Sequence, residues 1–189
     1  MNLTELLRKT RSYRSFDRNV PVTREDLAEL VACVRYAPSS MNAQMLKFRP
    51  VTDKAECETV LAATRWAGKL PQIKLPPKGH EPTAYLIICA DLSVLPNADQ
   101  FNTDVGIAAE VLMLAATERG LGGCIIGSFN RAEISRLVPE TVVPKLVLAV
   151  GKPDEQVELT DPAPDGSVTY YRRDGVHYVE KRRTEDLLL

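Results

Sequence analysis

The stretch NTDVGIAAEVLMLAATERG, residues 102–120, predicts a helix that is apolar on nearly every side. Gly120 is expected to end it, because glycine adopts the left-handed conformation of a helix C-terminus at little cost. Asp104, Glu110 and Glu118 exclude a membrane span. A helix that is apolar all round is expected at the centre of a domain or of a dimer.

Buried strands are predicted on both sides of this helix. TAYLIICA (83–90) and KLVLAVG (145–151) are continuous apolar runs, and GGCIIGSF (122–129) is an apolar run flanked by glycines. The strands and helices do not alternate as regular βαβ units. The predicted fold class is therefore α+β, as one domain over residues 1–189.

Three further helices are predicted in the first third of the chain. The first lies within residues 2–10, and a weaker one runs from residue 53 to about 65. Between them, a helix begins at Thr23 and ends near Ala37, because Pro38 disfavours the helical conformation of the residue before it.

The tail of the chain has a different character. Residues 152–166 are polar and rich in proline, which predicts an extended arm, and two alternating runs then flank Asp174-Gly175, a strong hairpin signal. We therefore expect residues 151–189 to form an extended arm with a terminal hairpin. Such an arm can span up to roughly 60 Å, enough to cross to the sheet edge of a second subunit.

Composition excludes several functional classes. The chain has 24 Lys+Arg and 25 Asp+Glu, which argues against a dedicated nucleic-acid binder. No secretory signal precedes the first helix and no apolar run is long enough to span a bilayer, so we expect a cytoplasmic protein without membrane contact. The four cysteines contain no C-x-x-C pair and are expected to be reduced thiols: Cys33, Cys57, Cys89 and Cys124.

Metal, triad and dinucleotide sites are not indicated. His80 and His177 lie far apart without metal-like partners, and each is expected to be a surface or loop histidine. No G-x-S-x-G motif is present. The glycines around residue 122 follow a helix, whereas a Rossmann fingerprint follows a strand.

A local excess of positive charge follows the first leucines, in the stretch LLRKTRSYRSFDRN. Arg8 and Lys9 suit the end of a helix, where cations complement the dipole. Arg11, Ser12 and Arg14 lie beyond that end, and a guanidinium beside a hydroxyl can hold a phosphate. A solvated helix end and an anion site are both open on this evidence.

Two other stretches have a structural and a functional interpretation. YAPSSMNAQMLKFRPV contains short hydrogen-bonding side chains that either form a turn or contact a flat polar ligand. The basic run at 181–183 either is a solvated tail or converges with the first cluster on one anion.

In this order, the stretches resemble the nitroreductase family of FMN-dependent oxidoreductases, over nearly the whole chain. An R-x-x-R-x-F-like element lies at 11–16, and a P-S-S-x-N-x-Q element at 38–44. The apolar helix leads into G-L-G-x-C-x-I-G-x-F at 120–129, and a basic pair lies at 181–182. The resemblance implies a central, mostly antiparallel sheet flanked by helices, with a C-terminal arm exchanged in a homodimer.

The resemblance also implies FMN as the cofactor and assigns residues of the first two elements to it. Arg11, Ser12 and Arg14 would hold its phosphate, ribityl chain and polar ring edge, and Tyr13 belongs to the same set of contacts. The second element would come from the other subunit through four residues: Pro38, Ser39, Ser40 and Asn42.

The last two elements complete the implied site. Ile126 and Gly127 would lie along the isoalloxazine, with a backbone N–H directed at its N5. Lys181 and Arg182 would complete the phosphate site, although Arg183 could replace Arg182. No metal ion and no catalytic side chain is implied.

The implied reaction has two steps: NAD(P)H passes hydride to flavin N5, and a small acceptor such as a nitroaromatic or a quinone then takes the electrons. The same fold hosts dehalogenases and flavin-fragmenting enzymes. From a different class, a flavin-binding or anion-binding module without turnover is a further alternative.

Overall fold

The apolar runs pair into one antiparallel sheet. The computed structural model describes residues 1–94, 97, 99 and 102–189. Within them, the main sheet has the strand order β1-β5-β3-β2, with β4 also paired to β5, and every pairing in it is antiparallel. Its strands are β1 (Phe16–Asp17), β2 (Leu46–Val51), β3 (Ala84–Asp91), β4 (Gly122–Ile126) and β5 (Val142–Pro153).

Helices cover both faces of this sheet. They are α1 (Leu3–Lys9), α2 (Arg24–Val34), α3 (Lys54–Ala63), α4 (Asn102–Glu118) and α5 (Arg131–Ser135). Every residue of β3 is buried, and its side chains alternate between the two faces. Leu86 and Ile88 pack in one core cluster with α2 and α4, while Tyr85 and Ile87 pack in the other with α3 and α5. The predicted α+β class and the mostly antiparallel sheet are confirmed.

The helix starts follow from local sequence. Asn2 and Thr23 each cap their helix in a reciprocal capping box, and Asp53 accepts hydrogen bonds from two backbone N–H groups of α3. These three predicted helices are confirmed, although α2 ends at Val34, earlier than predicted. The sequence analysis missed β2, whose Pro50 is tolerated because the strand lies at the sheet edge.

One side of α4 stays open within the chain. Its buried residues face the sheet and α2, but Thr103, Gly106 and Glu110 are exposed, at helical spacing. The apolar residues Ile107, Val111 and Leu114 are only half-buried, so the apolar character of α4 is only partly satisfied by its own chain. Among the described residues, no helix combines the length and the apolarity needed to cross a bilayer.

The tail differs from the predicted extended arm. Residues after Pro153 form a second sheet of β6 (Gln156–Thr160), β7 (Tyr171–Arg173) and β8 (Val176–Glu180), in the order β6-β8-β7. The predicted hairpin is present, with positive φ at both Asp174 and Gly175, as a two-residue turn requires. The sequence predicted an extended arm where the structure has the paired strand β6. This strand pairs in parallel with β8, and a parallel pair has no turn between its strands that could be recognised in the sequence. Arm exchange between subunits stays a prediction.

Candidate functional site

The segment 11–14 runs beside the start of β4. The backbone N–H of Tyr13 donates to the carbonyl oxygen of Gly123 at 2.8 Å, and Ser12 forms a parallel bridge with the same glycine. An added Cβ at Gly123 would lie 2.1 Å from the carbonyl oxygen of Ala149, so only glycine fits between this segment and β5. The first and third predicted elements are thus brought together.

Arg11 is turned back toward the helix that it follows. Its guanidinium donates to the carbonyl oxygen of Leu7 at 2.7 Å, and its buried Nε has no partner among the described residues. Burial lowers the pKa of Arg11, and the nearby Tyr13 and Glu110 partly offset this. Burial disfavours the charged form of this guanidinium, and a bound anion would stabilise it.

Arg14 lies against the second sheet. Its guanidinium stacks over the ring of Tyr170 at 5.3 Å from the centroid and lies 3.2 Å from Nε2 of His177. A guanidinium can only donate, so Nε2 of His177 accepts and this histidine is neutral. His177 was expected at the surface, but it is only 1% exposed. That expectation was wrong, because contacts distant in sequence bury its face of the hairpin.

A carboxylate joins Arg14 to the second sheet. Glu155 accepts from the backbone N–H of Arg14 and from the guanidinium of Arg172. Its side chain is almost entirely buried, so the loss of Arg172 would leave a buried charge without its partner. Sequence reasoning missed both residues, since they lie in the segment that was predicted to be an extended arm.

Burial, Arg14 and Arg172 together lower the pKa of His177 to about 4. In the unfolded chain, the pKa of a histidine is about 6.5. Between this pH and about pH 4, the unfolded chain therefore binds a proton that His177 in the folded chain does not bind. We expect folding stability to be fully present above about pH 6.5 and to fall toward pH 4, by at most about 1.4 kcal/mol per pH unit.

Chemical denaturation from about pH 7 to about pH 5 checks this. His177→Gln, which keeps a hydrogen-bond acceptor and removes the titration, should show the shallower pH dependence. Parallel curves for the two proteins would show that His177 is not held neutral by its surroundings.

The second element, residues 38–44, is anchored to the start of α4. The hydroxyls of Ser39 and Ser40 donate to the carboxylate of Asp104 at 2.9 and 2.8 Å. A groove of about 360 Å³ opens beside this loop, between α2 and α4, with Leu46 and Phe48 among its lining residues. The sequence analysis used Asp104 only to exclude a membrane span.

The third element ends at an open backbone surface. Ile126 is buried in β4, whereas Gly127 is exposed, and a Cβ added there would meet only the side chain of Leu146, at 3.7 Å. The carbonyl oxygen of Ser128 accepts from the backbone N–H of Arg65 at 2.9 Å, which fixes the segment after β4. A flat molecule can therefore approach the backbone at Gly127.

The fourth element lies apart from the others. Lys181 and Arg182 are exposed after β8, and the backbone N–H of Lys181 donates to Thr160. Arg183 forms an ion pair with Asp161 at 3.4 Å. Within the described residues, no hydrogen bond or ion pair links this run to the segment 11–14. Its part in a phosphate site stays a prediction.

The first and second elements lie at opposite ends of α4. The hydroxyl of Thr10 donates to Thr117 near the end of α4, at 3.1 Å, whereas Asp104 holds the second element near its start. At about 1.5 Å per residue, these anchor points are about 20 Å apart. One chain therefore does not bring its own first and second elements into contact.

An antiparallel sheet with helices on both faces defines an α+β protein, in which a basic segment lies beside the start of β4 and an open backbone follows its other end. The family model described as "Nitroreductase family" matches residues 7–152. The chain belongs to the nitroreductase family.

Its relatives include proteins named as nitroreductases and FMN reductases. A putative NAD(P)H nitroreductase, YodC, of Bacillus subtilis is 24% identical over 180 residues, covering 80% of this chain and 89% of that protein. An NAD(P)H-dependent FMN reductase of the same organism is 28% identical over 182 residues, covering 85% of this chain and 69% of that protein.

The fold is shared with a solved putative nitroreductase in complex with FMN from Exiguobacterium sibiricum. The two have a TM-score of 0.67 and 18% identity, with 82% of this chain and 90% of that chain covered. This likeness confirms the nitroreductase fold.

Proposed function

We propose that this chain is an FMN-dependent oxidoreductase that takes hydride from NAD(P)H and passes electrons to a small acceptor such as a nitroaromatic or a quinone. The observation that carries the proposal is the joining of the basic segment 11–14 to the start of β4 through Tyr13 and Gly123, on the same strand whose other end leads to the open backbone at Gly127. Family membership and relatives named as FMN reductases and NAD(P)H nitroreductases support it.

The cofactor is FMN, and the residues present suit it. The Nε atoms of Arg11 and Arg14 are buried donors without partners among the described residues, and an anion would satisfy such donors. The exposed backbone at Gly127 leaves room for a flat ring. A phosphate at one end of a ligand and a planar ring at the other match this pair of features.

Bound FMN supplies the redox chemistry, by accepting hydride and releasing electrons. The side chains of this protein bind and orient. Arg11 and Arg14 hold the phosphate, while the segment from Ile126 to Gly127 supports the ring. The positive field of the basic segment favours a reduced, negatively charged ring. No side chain is assigned as a catalytic acid or base.

We propose that the working unit is a homodimer. The anchor points of the two elements on α4, Thr117 and Asp104, lie about 20 Å apart. Among the described residues, no hydrogen bond or ion pair joins the second element to segment 11–14 of the same chain. If two α4 helices pack antiparallel through their open sides, the start of one lies beside the end of the other. The exposed stripe at Thr103, Gly106 and Glu110 is the surface available for that packing.

Turnover separates this proposal from its rivals. With the FMN-loaded protein under anaerobic conditions, NAD(P)H oxidation should require a nitroaromatic or quinone acceptor and should produce the reduced acceptor. Flavin that is bound but never reduced by either nicotinamide would indicate a binding module. Loss of halide from a haloaromatic, or breakdown of the flavin itself, would indicate the dehalogenase or flavin-fragmenting alternative.

A further inference from the structure

Asp104 is a buried carboxylate with several donors and no cation among its hydrogen-bond partners in the described chain. It lies in the first turn of α4 and is only 3% exposed. It accepts from the hydroxyl of Ser39 at 2.9 Å and from Ser40 twice, through the backbone N–H at 3.0 Å and the hydroxyl at 2.8 Å. One side chain thus holds three donors of the second element.

The loop held by Asp104 has an unfavourable backbone conformation. Met41, Asn42 and Gln44 have φ of 55°, 52° and 48°, in the left-handed region that non-glycine residues rarely adopt. Such conformations persist only where the surroundings impose them. The backbone N–H of Gln44 donates to the hydroxyl oxygen of Ser39 at 3.0 Å, so a chain of hydrogen bonds from Asp104 closes the loop.

The hydroxyls of Ser39 and Ser40 are consequently not free to donate to a ligand. Each has one proton, and both protons point to Asp104. The tip of the loop remains available, with Met41 89% exposed and the side chain of Asn42 beside it. The two serines therefore shape the loop, and the direct cofactor contacts implied for them stay a prediction in which their oxygens can only accept.

We propose that Asp104 is a positioning residue for the cofactor site: through Ser39 and Ser40 it fixes residues 38–44 in the one conformation that the site uses. The inference rests on the proposed FMN function. It assigns to this aspartate a role that the resemblance to the family does not give it.

Asp104→Asn tests the role with little change in size. Only one oxygen remains as an acceptor, and the new amide group is a donor that faces the donors of Ser39 and Ser40. Asp26→Asn is the matched control, because the Asp26 carboxylate also accepts from a backbone N–H and a hydroxyl, both of Thr23, at the start of another helix. Ser40→Ala is a milder variant that removes one of the three donors.

Three measurements on the full-length protein test the proposal. In the cofactor-free protein, hydrogen exchange at the amides of Ser40 and Gln44 should become about tenfold faster in Asp104→Asn, since a hydrogen bond to a charged group is lost. FMN should bind roughly tenfold more weakly, and at saturating FMN the visible circular dichroism of the bound flavin should change. Ser40→Ala should show smaller shifts in the same direction, and Asp26→Asn should show none.

The outcomes are distinct. Unchanged exchange at both amides in Asp104→Asn would show that the aspartate does not hold the loop. Faster exchange with unchanged FMN affinity and flavin spectrum would show that the loop it holds does not serve the cofactor. Either result overturns the proposal, whereas a wild-type protein that binds no FMN would instead overturn the proposed function.

Discussion

Replacing Arg14 with alanine weakens FMN binding by about 1.5–3 kcal/mol, which is roughly a 10- to 150-fold loss of affinity. The physical reason is the loss of a charge-assisted hydrogen bond to the phosphate, in a place where the guanidinium is already partly removed from water. Its stacking on Tyr170 and its contact with His177 hold it there. Arg8→Ala should cost little, because a cation at the end of α1 contributes only about 0.3–1 kcal/mol to the helix.

Titration of the two cofactor-free variants with FMN measures the difference. Riboflavin, which lacks the phosphate, is the matched ligand: Arg14→Ala should change its affinity much less. Thermal unfolding of both variants controls for the part that Arg14 plays in docking the second sheet. Equal losses of FMN affinity at Arg8 and Arg14, or equal losses for FMN and riboflavin, would show that Arg14 does not bind the phosphate.

A chain that ends at Pro153 should lose at least as much FMN affinity as Arg14→Ala does, roughly 100-fold or more. Ending there keeps the pairing of Phe16 with Pro153, so the main sheet is left complete. It removes Glu155 from the backbone of Arg14 and both His177 and Tyr170 from its guanidinium. Without these contacts the Arg14 side chain is flexible. FMN must then immobilise it on binding, and the entropy lost in doing so weakens the affinity.

Sedimentation and flavin absorbance on the same truncated sample test this expectation, and we expect dimer stability to fall with FMN affinity. A second chain ending at Glu180 keeps the hairpin and removes the basic run 181–183 together with residues 184–189. If that chain loses as much FMN as the shorter one, Lys181 and Arg182 complete the phosphate site. A stable, fully loaded monomer from the chain ending at Pro153 would contradict the role given to the whole tail.

Much of the fold was predictable, because its signals are local. The capping residues Asn2 and Thr23 fix the starts of two helices, and continuous apolar runs fix the central strands β3 and β5. The turn at Asp174-Gly175 sets the hairpin. In each case, the residues that determine the element lie within it or directly beside it.

The contacts that complete the candidate site were not predictable in the same way. Successive residues of a strand point to opposite faces of the hairpin, so His177 and its two neighbours lie on different faces. The sequence does not show which of these faces contacts Arg14. The pairing of Glu155 with Arg172 joins two segments across a proline-rich stretch. For Asp104 a signal was present: a carboxylate on the buried side of an apolar helix must find donors, and Ser39 and Ser40 are such donors, although the resemblance assigned them to the cofactor.

The central claim is that this chain holds FMN, and its most direct test is the identity of the molecule that the purified protein releases. After denaturation, the supernatant should contain FMN, with a flavin absorption spectrum and the mass of the mononucleotide, in amounts comparable to the chain. FAD or a nicotinamide nucleotide as the tightly bound molecule, or no flavin even after reconstitution with excess FMN, would contradict the account.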